Sequence, residues 1–152
     1  VEVKYRDPMA SQSTKEMDMS KMIFVNLPVA NLAKSKAFYE SIGAANNPQF
    51  TDETAACMVF SETINVMLLT HDKWRAFTTK AIADSHKSSE VMLAISCDSK
   101  DAVNSMLDAA NAKGGKADVN PKQDLGFMYN RSFQDPDGHI WEAVWMNMSG
   151  AQ

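Results

Sequence analysis

The sequence predicts an α+β domain: two βαβββ units forming a curled, incomplete eight-stranded barrel with a concave cavity. Three observations predict it. The chain has 152 residues, enough for one domain or for two small halves sharing a core. Apolar spacing switches between strand and helix periods in the order β, α, β, β, β, and then does so again. The two halves can also be laid on each other. Val29 on Cys97 matches the first strand to the fifth and the first helix to the second; Met67 on Glu142 matches the fourth strand to the eighth.

Residues 1–20, VEVKYRDPMASQSTKEMDMS, are polar and aperiodic and carry no signal-peptide core. They are expected to form an arm or leader outside the fold. The domain is expected over 21–148, as repeat units 21–71 and 89–148 joined by a connector at 72–88.

Met22 to Val29 is rich in strand formers. Asn31 is placed as an N-cap. Leu32, Ser35, Phe38, Tyr39 and Ile42 then share one helical face, and Gly43 stops the helix. Strands are expected near Pro48–Thr51, Ala55–Phe60 and Asn65–Thr70. The connector has some helical character, with Trp74, Phe77 and Ile82 as apolar anchors. Glu90–Cys97 opens the second unit. Asp98 or Ser99 caps a helix buried through Ala102, Val103, Met106, Leu107 and Ala110, and Gly114-Gly115 ends it. A weak strand near Lys116–Val119 and a strong one at Phe127–Phe133 follow. An Asp-Pro-Asp-Gly turn leads into the last strand, His139–Met146.

Composition is that of an ordinary globular chain, with 45% hydrophobic and 22% charged residues and a net charge of −4. No basic patch suits nucleic acid, and no apolar run reaches the ~18 residues of a membrane span. Cys57 and Cys97 lie in apolar runs and are read as reduced core residues of a cytoplasmic protein. The 11 methionines fill a core for the most part, and a few could line an adaptable pocket.

The stretches "LPVANLAKSKAFYESIG" (27–43) and "FQDPDGHIWEAVW" (133–145), together with the repeat, resemble the vicinal-oxygen-chelate superfamily: glyoxalase I, bleomycin-resistance proteins and extradiol dioxygenases. The resemblance covers roughly residues 21–148. "FTDETAACMVFSE", "VMLLTH", "LAISCDS" and "GFMYNRSFQDPDGHIWE" are similar to a bacterial branch usually labelled lactoylglutathione lyases. A shared fold does not by itself confer that activity.

The resemblance implies four metal-ligand positions, on the first, fourth, fifth and eighth strands. Carried onto this chain they are Phe24, Met67, Met92 and Glu142, and only Glu142 is a ligand. No metal or other cofactor is therefore expected. The alternative is an atypical site improvised from Glu142, Glu90 and one of Asn26 or Asn65, which share strand parity with the four positions. His71, His86 and His139 have no metal spacing, and His139 is expected to point away from the cavity.

The expected function is small-molecule binding without a metal, in a cavity lined by Phe24, Asn26, Met67, Glu90, Met92, Tyr129 and Arg131. The alternative is a lyase or dioxygenase-like enzyme with Glu142 as its catalytic base. A non-catalytic module remains a third reading. A homodimer is expected, with neither nucleic acid nor membrane as partner. Glu142 lies between Trp141 and Ala143, where a bare carboxylate would be costly if buried. A regular hairpin about the Asp135–Gly138 turn would set Arg131 opposite Glu142 as its cation. The tryptophans at 141 and 145 would then pack beneath a helix.

Overall fold

The computed structural model describes residues 20–150, so the expected arm lies outside the described residues except at its last position. The first unit comprises β1 (Ile23–Val29), α1 (Leu32–Ser41), β2 (Ala45–Asn47), β3 (Ala55–Val59) and β4 (Ile64–Thr70). A short helix α2 (His71–Phe77) opens the connector. The second unit comprises β5 (Met92–Ser96), α3 (Lys100–Ala112), β6 (Lys116–Ala117), β7 (Gln123–Asp124), β8 (Met128–Gln134) and β9 (Ile140–Met146). No helix among the described residues is long and apolar enough to cross a membrane.

Local chemistry sets the boundaries. Asn31 has extended backbone, and its side-chain oxygen accepts from Lys34 N at 3.0 Å, capping α1. Ser99 caps α3 in the same way, accepting from Ala102 N at 3.0 Å. Gly43 ends the turn after α1 at φ 110°, which a side chain would oppose. Gly115 is needed for space instead. A Cβ there would lie 2.4 Å from the Gln134 carbonyl oxygen and 2.6 Å from the Phe38 ring. The strand expected at 48–51 is not formed. Pro48–Phe50 is a 3-10 turn whose first residue has no N–H to give a ladder, and Asn47 caps it by accepting from Gln49 N. The second strand lies just before it, at Ala45–Asn47.

The strand order is β1-β4-β3-β2 in one sheet and β5-β9-β8-β6 in the other, with β7 added beside β8. In both sheets the first and last strands of the unit run parallel and the others antiparallel. The registers agree with the internal match. Asn26 pairs with Met67, and Ala94 pairs with Glu142; Cys57 pairs with Met67, and Ser132 with Glu142. The two units form the expected curled, incomplete barrel, each unit with its own sheet. β1 and β5 are both edge strands, and among the described residues no ladder joins the sheets. The barrel is therefore open and its two halves meet through side chains.

One core nonetheless serves both units. Leu27, Val29, Phe38, Tyr39 and Leu68 of the first pack with Val103, Leu107, Phe133, Trp141 and Ala143 of the second. Phe38 stands 6.2 Å from Phe133 and Tyr39 stands 6.0 Å from Trp141, between ring centroids.

Candidate functional site

The last hairpin decides which residues can meet. Asp135 N donates to the His139 carbonyl at 3.0 Å, and Asp135 Oδ1 accepts from both Asp137 N and His139 N at 2.9 Å. These bonds close a three-residue turn, Pro136-Asp137-Gly138, with Gly138 in the left-handed region at φ 89°. A regular two-residue turn would have paired Arg131 with Glu142. The extra residue shifts the register by one, so Arg131 pairs with Ala143 and Ser132 faces Glu142. A shift of one residue moves a side chain to the other face of a strand.

Arg131 therefore does not offset Glu142. It grips Asp118 with two hydrogen bonds, Nε to Oδ1 at 3.0 Å and Nη2 to Oδ2 at 2.7 Å, and gives Nη1 to Asn104 Oδ1 at 2.9 Å. Tyr129 Oη donates to the same Asn104 oxygen at 2.8 Å. Tyr129 and Arg131 thus lie on the helix side of the sheet with Phe133, and line an open groove beside α3. The Arg131 hydrogen bonds hold the Asp118 carboxyl below the usual carboxylate range.

Glu142 lies on the opposite, inner face, because Trp141 and Ala143 on either side of it are in the core. It is half-buried, so water can solvate the carboxylate and no protein cation is required. The tryptophans take their expected side. Trp141 is buried and gives Nε1 to Tyr39 Oη at 3.0 Å; Trp145 packs against the core with the Lys100 ammonium 5.5 Å from its ring centroid. Phe24, Asn26 and Met67 share the inner face of the first sheet, and Met92 shares that of the second with Glu142. Phe24, Asn26, Met92 and the nearby Glu90 are exposed, and Met67 is half-buried.

The four ligand positions offer one carboxylate, two thioethers and a phenyl ring. That set does not fit a hard or borderline divalent ion. No three His, Cys, Asp or Glu converge on a possible ion site among the described residues.

A hollow lies between the units. It has a volume of about 500 Å³ and is bounded by the β1 edge, the start of β5, the connector and the start of β9. Leu27, Trp74, Val91, Leu93 and Ile140 give it apolar walls; Asn26, Ser85, Glu90 and His139 give it polar points. The Trp74 indole N–H is buried without an acceptor. His139 does not point away from the interior, as strand parity suggested. Closing the turn just ahead of β9, it reaches across the seam: Nε2 lies 2.8 Å from the Pro28 carbonyl oxygen and Nδ1 lies 3.1 Å from Ser85 Oγ. The sequence offered one unused signal for this site, the histidine that follows the Asp-Pro-Asp-Gly turn directly.

The same turn clamps the units together. Asp137 accepts from Ala30 N at 2.8 Å and Ser35 Oγ at 3.2 Å, and Asp135 Oδ2 accepts from Tyr39 Oη at 2.7 Å. Asp135 is 1% exposed. Burial pushes its carboxyl above the ordinary range, while the nearby His139 and the Tyr39 hydrogen bond act the other way.

Two βαβββ units, each with its first and last strands paired in parallel and together forming an open, curled barrel, define a protein of the glyoxalase fold class. The model of the Glyoxalase/Bleomycin resistance protein/Dioxygenase superfamily matches residues 21–143, and the chain belongs to that superfamily. It is similar to a glyoxalase/bleomycin resistance protein/dioxygenase family enzyme from Burkholderia phytofirmans PsJN, at 14% identity and TM-score 0.70, over 84% of this chain and 99% of that one. A glyoxalase-related enzyme from Fulvimarina pelagi is similar at 20% identity and TM-score 0.69, over 84% and 88%. The fosfomycin resistance protein FosX from Listeria monocytogenes is similar at 17% identity and TM-score 0.61, over 86% and 97%. At these identities the likeness is one of fold. No curated protein matches the sequence.

Proposed function

We propose that the protein binds a small, largely apolar molecule in the cavity between its two units, without a metal. The cavity itself carries this reading: about 500 Å³, mostly apolar walls and a few convergent polar groups, as small-molecule sites have. The ligand positions at Phe24, Met67 and Met92 support it, since they leave Glu142 alone on the inner face. We further expect the chain to act as a homodimer in the cytoplasm.

The test is a panel of small aromatic and aliphatic molecules scored by thermal stabilisation. A ligand at a hundred times its Kd should stabilise by about 2.7 kcal/mol, and Val91→Trp, which fills the cavity from its rim, should abolish the effect. A panel in which no compound stabilises the wild type more than the filled variant sinks the reading. Metal analysis after exposure to zinc, nickel and manganese should find no stoichiometric ion that Glu142→Gln removes.

A second reading, lactoylglutathione lyase or related enzyme chemistry, is favoured by one observation. Glu142 stands on the inner face with no ion pair or side-chain hydrogen bond among the described residues, a placement open to a proton-transfer role. Lyase activity abolished by Glu142→Gln would select it.

A further inference from the structure

We infer that Ser85 and His139 form a nucleophile–base pair in the inter-unit cavity, able to accept the acyl group of a small apolar ester. The inference rests on the reading of that cavity as a small-molecule site and adds chemistry to it. A serine is activated when a base lies within hydrogen-bond reach and a third group orients the base. All three parts are present, and they come from three segments far apart in sequence: the connector, the last turn and β1.

The orientation follows from what each atom can do. The Pro28 carbonyl only accepts, so His139 Nε2 donates to it across 2.8 Å. In the neutral ring, Nδ1 then carries the lone pair, and it faces Ser85 Oγ at 3.1 Å. The hydroxyl therefore donates to Nδ1 and keeps its own lone pairs free. The partners are held firmly. His139 N donates to the buried Asp135 carboxylate at 2.9 Å. On the connector side the backbone of Ser85 and His86 lies against Gly138, where a Cβ would come within 2.8 Å of the Ser85 carbonyl carbon. Both Ser85 and His139 line the apolar cavity, which favours uncharged acyl and alcohol groups.

The step balances without a co-reactant other than water. Ser85 Oγ forms a bond to the ester carbonyl carbon as its proton passes to His139 Nδ1. The tetrahedral adduct collapses, the C–O bond to the alcohol breaks, and the alcohol leaves with the proton from His139. Water then attacks the acyl-serine, gives a proton to His139, and releases the carboxylic acid as Ser85 regains its hydrogen.

The experiment uses the full chain with two probes. An alkyl fluorophosphonate should phosphonylate Ser85, read by intact mass and peptide mapping. p-Nitrophenyl butyrate should be hydrolysed above the buffer rate, and Ser85→Ala should lower that rate by about a hundredfold. His139→Gln, which can keep the bond to Pro28 but lacks a base, should remove labelling at a fixed probe concentration. Labelling of the wild type stays informative even if a variant fails to fold. A folded wild type unlabelled at Ser85, labelling at another residue only, or ester hydrolysis indifferent to Ser85→Ala would overturn the pair. Ligand stabilisation without Ser85 labelling removes the pair and leaves the binding reading standing. Labelling without stabilisation by any ligand removes the binding reading instead.

Discussion

Asp135 and Asp118 are carboxylates pushed in opposite directions by their surroundings. Asp135 is raised chiefly by burial. An acid with a raised folded value binds protons more readily in the folded state, so its contribution favours stability at low pH and is lost as pH rises through the folded value. Asp118 is lowered chiefly by its hydrogen bonds from Arg131. Its contribution is present above the ordinary carboxylate value and is lost as pH falls through the lowered one. Urea titrations between about pH 2 and pH 7 separate them. Asp135→Asn should cost about 1–3 kcal/mol, with a penalty that shrinks as pH rises. Asp118→Asn should cost about 1 kcal/mol, since half of that side chain is in solvent, with a penalty that shrinks as pH falls. Equal penalties across the range would contradict both assignments. Arg131→Ala should behave as Asp118→Asn does and leave Glu142 unaffected.

The helices and strands show what a linear pattern conveys. Asn31 and Ser99 are legible as caps because a cap acts within three residues of itself. The burial of Ser35, Phe38 and Tyr39 in α1, and of Val103, Leu107 and Ala110 in α3, follows from helical period. The hairpin register is not legible in this way. "DPDG" fits both a two-residue and a three-residue turn, and the choice rests on Asp135 accepting from two backbone N–H groups. That single choice placed Arg131 and Tyr129 on the helix side. Strand parity misplaces His139, because this residue closes the turn ahead of β9 and its partners, Pro28 and Ser85, lie 111 and 54 positions away. Gly115 gives an element-scale test. Gly115→Ala sets a methyl against the Gln134 backbone and the Phe38 ring, and should destabilise by about 3 kcal/mol in chemical denaturation. A loss under about 0.5 kcal/mol would mean the helix ends do not meet as described.

Over the whole molecule, the duplication was legible, and the chain length already allowed two small halves sharing a core. What the sequence did not convey is which side chains join them: Tyr39 and Trp141 share one hydrogen-bonded cluster with Phe38 and Phe133. Neither unit can bury these faces alone. Heat unfolding should therefore be one transition, with calorimetric and van't Hoff enthalpies equal. Chains ending near residue 88 or starting near it should not fold separately, and amide exchange in either would show unprotected backbone. Two resolved transitions in the intact protein would contradict the shared core.

The seam between β1 and β5 has a mechanical meaning. A force drawing the two sheets apart meets, among the described residues, no row of backbone bonds between them. Resistance falls on the clasp at Asp135, Asp137 and His139 and on the aromatic plug beside it. The molecule is thus stiff within each sheet and compliant across one line. An occupant of the gap can spread that line without unpairing a strand, much as a book opens at its spine while its boards stay flat.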